Sequence, residues 1–133
     1  MESTRKKLSS FKELIVWQKP LDLVTEIYAA TSGFPREEMF GLTSQLRRSA
    51  VSVPSNIAEG QGRATKGEFI QFLSHARGSL FELEAQIVIA GRLGYLPSQL
   101  ELDLAGKAEE VARILNGLLT SLGVASRKLT TSH

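Results

Sequence analysis

Apolar residues recur at steps of three and four along almost the whole chain, and this repeat constrains the fold more than any other feature. Such steps place side chains on one face of an α-helix, whereas a half-buried strand requires strict alternation. Turn-forming glycine and proline residues divide the repeat around residues 31–35, 59–62 and 94–97. The pattern therefore predicts an all-α chain of four amphipathic segments.

Each segment has an apolar stripe that we expect to face a core. The stripes are Leu14, Trp17, Leu21, Val24 and Tyr28; Leu42, Leu46, Ser49 or Ala50, Val53 and Ile57; Phe69, Phe72 or Leu73, Ala76, Leu80, Leu83, Ile87 and Ala90; and Leu104, Ala108, Val111, Leu115, Leu118 and Leu122. Four such helices with short connections favour an up-down-up-down four-helix bundle. We expect this bundle to span residues 11–123, between disordered basic tails at 1–10 and 124–133.

A second line of apolar residues accompanies two of the stripes. In the third segment it contains Ile70, Phe81 and Val88, and in the first segment it contains Ile15, Val16, Leu23 and Ile27. Helices that are apolar on more than one face are buried on more than one face. This favours self-association through Ile70, Phe81 and Val88, and the alternative is a monomer with a wide core stripe and scattered exposed apolar residues.

The second segment contains Pro54 where its helical pattern is otherwise unbroken. Proline removes a backbone donor and clashes with the preceding turn, so we expect a kinked second helix and a freed carbonyl at Ala50. Asn56 and Glu59 follow at helical spacing and are expected to satisfy polar groups near the kink, while Gly60 allows the backbone to turn. A buried Glu59 paired with an arginine such as Arg77 would fit the same role. The alternative for Asn56 and Glu59 is a ligand site.

The net charge of +2 is unevenly distributed. Residues 1–10 and 124–133 hold five lysines and arginines against one acidic residue, and the body holds eleven against thirteen. The basic pI is therefore largely a property of the tails. The absence of cysteine excludes disulfides, thiolate zinc sites and thiol catalysis. Without a signal-peptide pattern or a membrane-length apolar run, the sequence predicts a soluble cytoplasmic protein.

The central part of the chain contains five basic residues that are candidates for contacting nucleic acid, namely Arg47, Arg48, Arg63, Lys66 and Arg77. In a ring of identical subunits these residues would recur as a basic belt able to engage several phosphates. The alternative is a solvated face with local or intersubunit ion pairs, for example to Glu59 or Glu82. We expect no aromatic side chain to lie among these cations, so base stacking on a single-strand platform is not indicated.

Residues suited to catalysis or metal binding are sparse. Di-iron bundles use glutamates and Glu-x-x-His motifs, but Phe72 and Thr130 stand three positions before the two histidines, His75 and His133. The glycine-rich turn after Gly60 lacks the lysine and serine of a phosphate-binding loop. We therefore predict no catalytic residue, no metal site, no cofactor and no enzyme.

Several motifs resemble the bacterial four-helix bundle proteins encoded within intervening sequences of 23S rRNA genes. They span residues 11–122 in order. They are Phe11-Lys-Glu-Leu-Ile-Val-Trp17, Phe34-Pro-Arg-Glu37, Phe40-Gly-Leu-Thr-Ser-Gln-Leu-Arg-Arg48, Ser52-Val-Pro-Ser-Asn-Ile-Ala-Glu-Gly60, Glu68-Phe-Ile-Gln-Phe-Leu73, Gly78-Ser-Leu-Phe-Glu-Leu-Glu84 and Leu93-Gly-Tyr-Leu96.

This resemblance implies a kinked bundle and a ring-like homo-oligomer, commonly a pentamer, but no established activity. A relative in fold, the accessory variability protein of diversity-generating retroelements, binds nucleic acid and works with a reverse transcriptase. By that analogy RNA or DNA, and a protein such as a reverse transcriptase, are candidate partners. Together these observations predict a non-enzymatic oligomeric scaffold that contacts RNA or DNA, and the alternative is a purely protein-interacting assembly.

Overall fold

The computed structural model of the protein describes residues 11–124, which contain four α-helices and one 3₁₀ turn. The helices are α1 (Phe11–Thr31), α2 (Leu42–Gln61), α3 (Lys66–Arg92) and α4 (Ser98–Ser121), and the 3₁₀ turn Arg36–Glu38 precedes α2. This part of the chain contains no strand. The prediction of an all-α chain with four helices is confirmed.

The four helices pack as a closed square in the order α1, α2, α3, α4, and within residues 11–124 no diagonal pair of helices brings Cα atoms within 8 Å of each other. Lys19 on α1 forms an ion pair with Glu110 on α4, while Glu26 further along α1 pairs with the earlier Lys107. These two pairs run in opposite directions along the helices, so α1 and α4 are antiparallel. Antiparallel packing of α2 with α3 and of α3 with α4 follows from the contacts Ser52–Ser79, Gly60–Phe69, Arg77–Asn116 and Gly91–Glu101.

The turns between the helices contain the expected capping residues. Thr65 precedes α3, and its hydroxyl oxygen accepts a hydrogen bond from the backbone N–H of Glu68 at 3.1 Å, as the capping-box spacing predicts. Gly94 and Gly123 follow α3 and α4 with φ of 80° and 98°. Because side chains with a Cβ rarely adopt this conformation, glycine is favoured at both helix ends.

The core lies along the bundle axis, and the stripes predicted for α2 and α3 supply most of it. Leu46, Val53 and Ile57 of α2 are buried, as are Leu80 and Leu83 of α3. In α4 the last buried residue is Leu119, one position after the predicted Leu118, which is only half-buried.

The stripe predicted for α1 is wrong at Trp17 and Tyr28, whereas Val24 packs against the core as predicted. The buried residues of this helix include Val16, Leu23 and Ile27, which the sequence pattern places in the second apolar line, whereas Trp17 and Tyr28 are exposed. Both lines have helical spacing, and the sequence alone does not say which one faces inward. The helix is nevertheless apolar on two faces, as the sequence indicates.

The packed part of the chain extends at least to Val124, the last described residue. Val124, which the sequence pattern places in a tail, donates its backbone N–H to the carbonyl oxygen of Leu119 at 3.0 Å and packs against the core. The predictions of disorder for 1–10 and 125–133 lie outside the described residues. Between residues 11 and 124, no helix combines the length and apolar character needed to cross a bilayer.

Candidate nucleic-acid interface

Arg47 lies in the groove between α1 and α2, where the end of α1 holds its guanidinium group. Its Nε donates to the Thr31 hydroxyl oxygen at 2.9 Å, and its guanidinium carbon lies 4.5 Å from the centre of the Tyr28 ring. The Thr31 hydroxyl in turn donates to the carbonyl oxygen of Ile27 at 2.8 Å. A cation above an aromatic ring is a stabilising arrangement, so the position of this arginine is fixed within the subunit.

Arg48 lines an open cleft beside Arg47, which we call the α1–α2 cleft. Its lining residues are Tyr28, Met39, Phe40, Thr43, Ser44, Arg47, Arg48 and Val51. The cleft contains two arginines and no carboxylate, and Phe40 on its rim is 95% exposed. The expectation that no aromatic residue accompanies the cations is therefore wrong, because the fold brings Tyr28 from α1 and Phe40 from a connection to their side.

Arg63 and Lys66 lie at the opposite end of α2, in and beside its short connection to α3. Arg63 forms an ion pair with Glu59 one turn earlier, and its guanidinium carbon lies 4.8 Å from the centre of the Phe72 ring. Lys66 is the first residue of α3 and is exposed. Glu59 is also exposed, so the expectation of a buried Glu59 paired with Arg77 is wrong.

Arg77 lies on the side of α3 that faces α4. Its guanidinium donates to the side-chain oxygen of Asn116 at 3.0 Å. Arg47 and Arg63 are sixteen positions apart along α2 and its end, which corresponds to about 24 Å of helix. The five predicted cations thus occupy three separate places on one subunit, and their contact with nucleic acid stays a prediction.

The antiparallel order of the helices gives one end of the bundle a distinctive composition. The starts of α1 and α3 lie there together with the ends of α2 and α4, so this end includes Phe11, Arg63, Lys66 and Val124. In the sequence, the chain before Phe11 and after Val124 contains Arg5, Lys6, Lys7, Arg127 and Lys128. We call the end of the bundle that holds Arg63 and Lys66 the basic end.

Polar side chains around Pro54 form a local hydrogen-bond network. The Asn56 side-chain amide donates to the carbonyl oxygen of Ser52 at 2.8 Å and lies 3.0 Å from its hydroxyl. The Ser52 hydroxyl lies 2.8 Å from the Ser79 hydroxyl of α3. Asn56 therefore bonds to Ser52, and not to the Ala50 carbonyl, within a network that joins α2 to α3.

Gly60 has a different role from the predicted backbone turn. It is buried within α2, and its φ is not positive. A Cβ atom built on Gly60 would lie 2.9 Å from both the Phe69 ring and the Phe72 Cβ atom. Glycine is therefore required at this position because α2 and α3 approach each other closely.

The three residues proposed for self-association lie along one stripe of α3 beside α4. Ile70 is half-buried against the core, whereas 52% of Phe81 and 44% of Val88 is exposed. Arg77, which contacts α4, lies between Ile70 and Phe81 at helical spacing. A role for these residues in self-association stays a prediction.

Two carboxylates from α3 and α4 lie within this same region. Burial of the Glu84 side chain, and after it the neighbouring Glu109 carboxylate, raise the pKa of Glu84 above its ordinary value. Among residues 15–124, whose side chains the structure describes, the ion pairs are Lys19–Glu110, Glu59–Arg63 and Glu26–Lys107. Neither Glu84 nor Glu109 belongs to one of these pairs.

The described residues contain no group of three or more histidine, aspartate or glutamate side chains that could hold a metal ion. His75 is exposed on α3, and its ring lies edge-on to Phe72 with 5.9 Å between the ring centres. His133 lies outside the described residues. The prediction that the protein is not an enzyme stays a prediction.

The family of the chain follows from comparison with known proteins. The sequence model of the 23S rRNA-intervening sequence proteins matches residues 12–117. The chain belongs to this family. The match includes α2 and α3 in full and most of α1 and α4, so the resemblance inferred from the sequence motifs is confirmed. A search of curated proteins found no match to the chain.

A solved structure of another protein has a similar fold. It is a protein of unknown function from the S23 ribosomal protein family of Bacteroides thetaiotaomicron VPI-5482, and its TM-score with this chain is 0.77. The two are 22% identical, and the alignment covers 83% of this chain and 99% of that one. At this level of identity the likeness supports the four-helix fold alone.

The main residues that sequence reasoning missed are Tyr28, Met39 and Phe40 of the α1–α2 cleft. The sequence pattern places Tyr28 in the core stripe of α1, and Phe40 lies in the connection before α2, outside any periodic segment. The available signal was that Met39 and Phe40 are large apolar residues beside a turn, where exposure is common. Their proximity to Arg47 required the packing of α1 on α2.

Proposed function

We propose that this family member is a non-enzymatic scaffold that forms a ring-like homo-oligomer and contacts RNA or DNA electrostatically through its basic end. The observation that carries the proposal is the antiparallel order of the helices, which puts Arg63, Lys66 and both points of departure of the basic segments at one end. Cations held close together release counterions when they contact phosphates, and this release drives association.

Repetition within an oligomer would strengthen a contact that a single subunit makes weakly. Among the described residues the basic end of one subunit has few charges, and Arg63 already pairs with Glu59. A ring whose subunits point the same way would place all of its basic ends on one rim, where they engage one nucleic acid together. Linked binding sites gain affinity in this way without any new kind of contact.

The proposal is tested by fluorescence anisotropy of the full chain with labelled RNA and duplex DNA across a salt series. The variant Lys66→Ala, combined with Arg5→Gln, Lys6→Gln and Lys7→Gln, should bind more weakly. For duplex DNA, the slope of log affinity against log salt should decrease by about 0.9 for each phosphate that the variant no longer neutralises.

Arg92→Ala is the matched control, because Arg92 is the last residue of α3 and Lys66 is the first. The two lie about 39 Å apart along the helix axis, so Arg92 is at the opposite end of the bundle. Equal losses of affinity for Arg92→Ala and for the combined variant that contains Lys66→Ala would contradict a localised basic end. Absence of binding at low salt would contradict the nucleic-acid role as a whole.

A protein-interacting assembly without a nucleic-acid role is the second candidate. The near-complete exposure of Phe40, beside Tyr28 and Met39, favours it. Exposed apolar patches commonly mark protein interaction sites. Under this alternative the scaffold would assemble normally but show no salt-dependent binding to either nucleic acid.

The ring is proposed to contain five subunits, the number that the family resemblance implies. The exposed apolar residues of α1 and α3 support association, since helices with two apolar faces are usually buried on both. Sedimentation equilibrium of the full chain should then give five times the 14.6 kDa chain mass. A monomeric mass at micromolar concentration would contradict the ring.

We also propose that α2 bends at Pro54. Proline cannot donate a backbone hydrogen bond to the Ala50 carbonyl, and its ring clashes with that turn. Pro54 is buried within an otherwise continuous helix, which supports a structural role. A crystal structure should show a change of axis direction of more than about 20° at this point, and a straight helix would contradict the proposal.

A further inference from the structure

Two opposite sides of the bundle expose apolar residues next to charges of opposite sign. We propose that the α1–α2 face of one subunit binds the α3–α4 face of a second copy, head to tail. This inference rests on the self-association in the proposed function and identifies the surfaces that make it.

The α1–α2 face consists of the α1–α2 cleft and Trp17. Trp17 and Tyr28 are eleven positions apart on α1, which is about three helical turns, so both lie on the same side of that helix. Together with Met39, Phe40 and Val51 they form a set of large apolar side chains that are all more than a third exposed. The charged residues within the cleft are Arg47 and Arg48.

The α3–α4 face has a similar apolar surface but the opposite charge at its centre. Its exposed apolar residues are Phe81 and Val88 on α3 and Leu102 on α4, which is 66% exposed. Glu84 lies between Phe81 and Val88, and Glu109 stands seven positions after Leu102 on the same side of α4. These two carboxylates interact unfavourably across the α3–α4 groove.

Three arginines also lie near the α3–α4 face, and one of them, Arg92, stands one turn after Val88 at the end of α3. Arg77 is two turns before Glu84 and is engaged by Asn116, so it is directed to the other end of the groove. Arg113 is one turn after Glu109, and the two form no ion pair within the described structure. The centre of the face, at Glu84 and Glu109, is therefore acidic.

The order of the helices places these faces on opposite sides of the molecule. The bundle is closed by packing of α2 on α3 and of α1 on α4, so the α1–α2 pair and the α3–α4 pair form opposing walls. One subunit can thus present both faces at once, each to a different neighbour. Two faces on one side would have allowed only a single contact.

Charge decides which faces meet. If two α1–α2 faces met, Arg47 and Arg48 would oppose their own copies, and if two α3–α4 faces met, Glu84 and Glu109 would do the same. Like charges brought together at an interface disfavour association strongly. The unlike pairing instead places two arginines opposite two glutamates that form no ion pair within the described residues, and brings apolar residues of both faces together.

A contact between two unlike faces is heterologous, and repetition of such a contact gives either a closed ring or an open filament. The pairing of the two faces is therefore independent of closure into a finite ring, which belongs to the proposed function. Each of the two can be tested without the other.

The test uses charge reversal at exposed positions and sedimentation velocity of the full chain without nucleic acid. Arg48→Glu and Glu109→Arg should each raise the dissociation constant of the assembly at least about tenfold, because each places like charges in contact. The double variant Arg48→Glu/Glu109→Arg should associate again, because the two reversed charges are again opposite in sign. Circular dichroism checks that the helices of each variant remain folded.

Apolar substitutions supply a second arm with a matched control. Phe40→Ser and Phe81→Ser should each weaken association, since they remove exposed apolar area from one face each. Ile89→Ser is the control, because Ile89 is as exposed as Val88 but points about 100° away from it around α3. We expect the Ile89 variant to associate like the wild-type protein.

The outcomes separate the pairing of faces from the proposed function. A double charge variant that associates no better than the weaker single variant overturns the pairing, as does an Ile89 variant that weakens association as much as the Phe81 variant. An oligomeric wild type that none of these substitutions affects overturns the faces but leaves the ring. A monomeric wild type overturns both the ring and the contact.

Discussion

The Tyr95 hydroxyl donates to a Glu38 carboxylate oxygen at 2.9 Å and so links the connection before α2 to the connection after α3. The other Glu38 oxygen accepts the backbone N–H of Leu42 at 3.0 Å, at the start of α2. The Tyr95 ring also lies beside Phe34, with 5.3 Å between the ring centres. A single carboxylate thus joins the two connections at the end of the bundle opposite to the basic end.

This carboxylate should make stability depend on pH. The Leu42 N–H bond, and after it the Tyr95 hydroxyl, lower the pKa of Glu38 below its ordinary value of 4.5. A carboxylate whose pKa is lowered by folding stabilises the protein at pH values above its ordinary pKa. This stabilisation is lost as pH falls through the pKa of the folded state. Glu38→Gln should therefore lower Tm at neutral pH, and the deficit should shrink in acid.

The measurement is thermal unfolding of the wild type and of Glu38→Gln between neutral pH and pH values below the ordinary carboxyl pKa. Glu37→Gln is the control, since Glu37 is exposed beside Glu38. A deficit for the Glu38 variant that does not change with pH would contradict the proposed origin of the effect.

Glu84 should make stability depend on pH in the direction opposite to that of Glu38. Its pKa is raised by burial and then by Glu109, so the folded state holds a proton more tightly than the unfolded state. The protonated Glu84 side chain makes its full contribution to wild-type stability below the ordinary pKa of 4.5. This contribution is lost as pH rises through the raised pKa of the folded state. Glu84→Gln should therefore stabilise the isolated subunit at neutral pH, with a gain that disappears in acid.

This effect is measured by denaturant unfolding in the Arg48→Glu background, where association is expected to be weak. Glu82→Gln is the control, because Glu82 is exposed two positions earlier on another side of α3. A Glu84 variant that is less stable than its parent at neutral pH would show that the carboxylate has a favourable partner within the subunit.

Gly60→Ala should destabilise the bundle. The added Cβ atom would lie 2.9 Å from Phe69 and Phe72, and relief of such overpacking typically costs about 1–3 kcal/mol. Gly117→Ala in α4 is the control, because no atom lies within 4 Å of the Cβ position there. In an open helical site alanine is favoured over glycine, so this control should gain up to about 1 kcal/mol in the free energy of unfolding.

The network beside Pro54 predicts an order of effects. Asn56→Ala removes the bond from the side-chain amide to the Ser52 carbonyl and should cost about 0.5–1.5 kcal/mol in the free energy of unfolding. Glu59→Ala removes an exposed ion pair with Arg63 and should cost less, about 0–1 kcal/mol. Chemical denaturation measures both, and a larger loss of stability for the Glu59 variant would contradict this ranking.

The sequence predicted the helical segments well because helix period, turns and caps are local properties. The core stripes of α2 and α3, the Thr65 cap and the glycines at helix ends all follow from residues within a few positions of one another. The prediction failed for α1, where two apolar lines have the same period. The choice between Leu23 and Tyr28 as core residues depends on contacts with other helices.

The candidate sites, like the helices, have features that the sequence determines and features that only packing determines. The sequence by itself determined the four amphipathic helices, the family membership and the positions of the basic residues, because these depend on residue type and spacing. Only the tertiary structure decided that Arg47 lies over Tyr28, that Phe40 joins them in a cleft, and that Lys66 lies at the same end as Phe11 and Val124. Proximity between residues that are distant in the chain results from the packing of whole helices, and no local pattern specifies it.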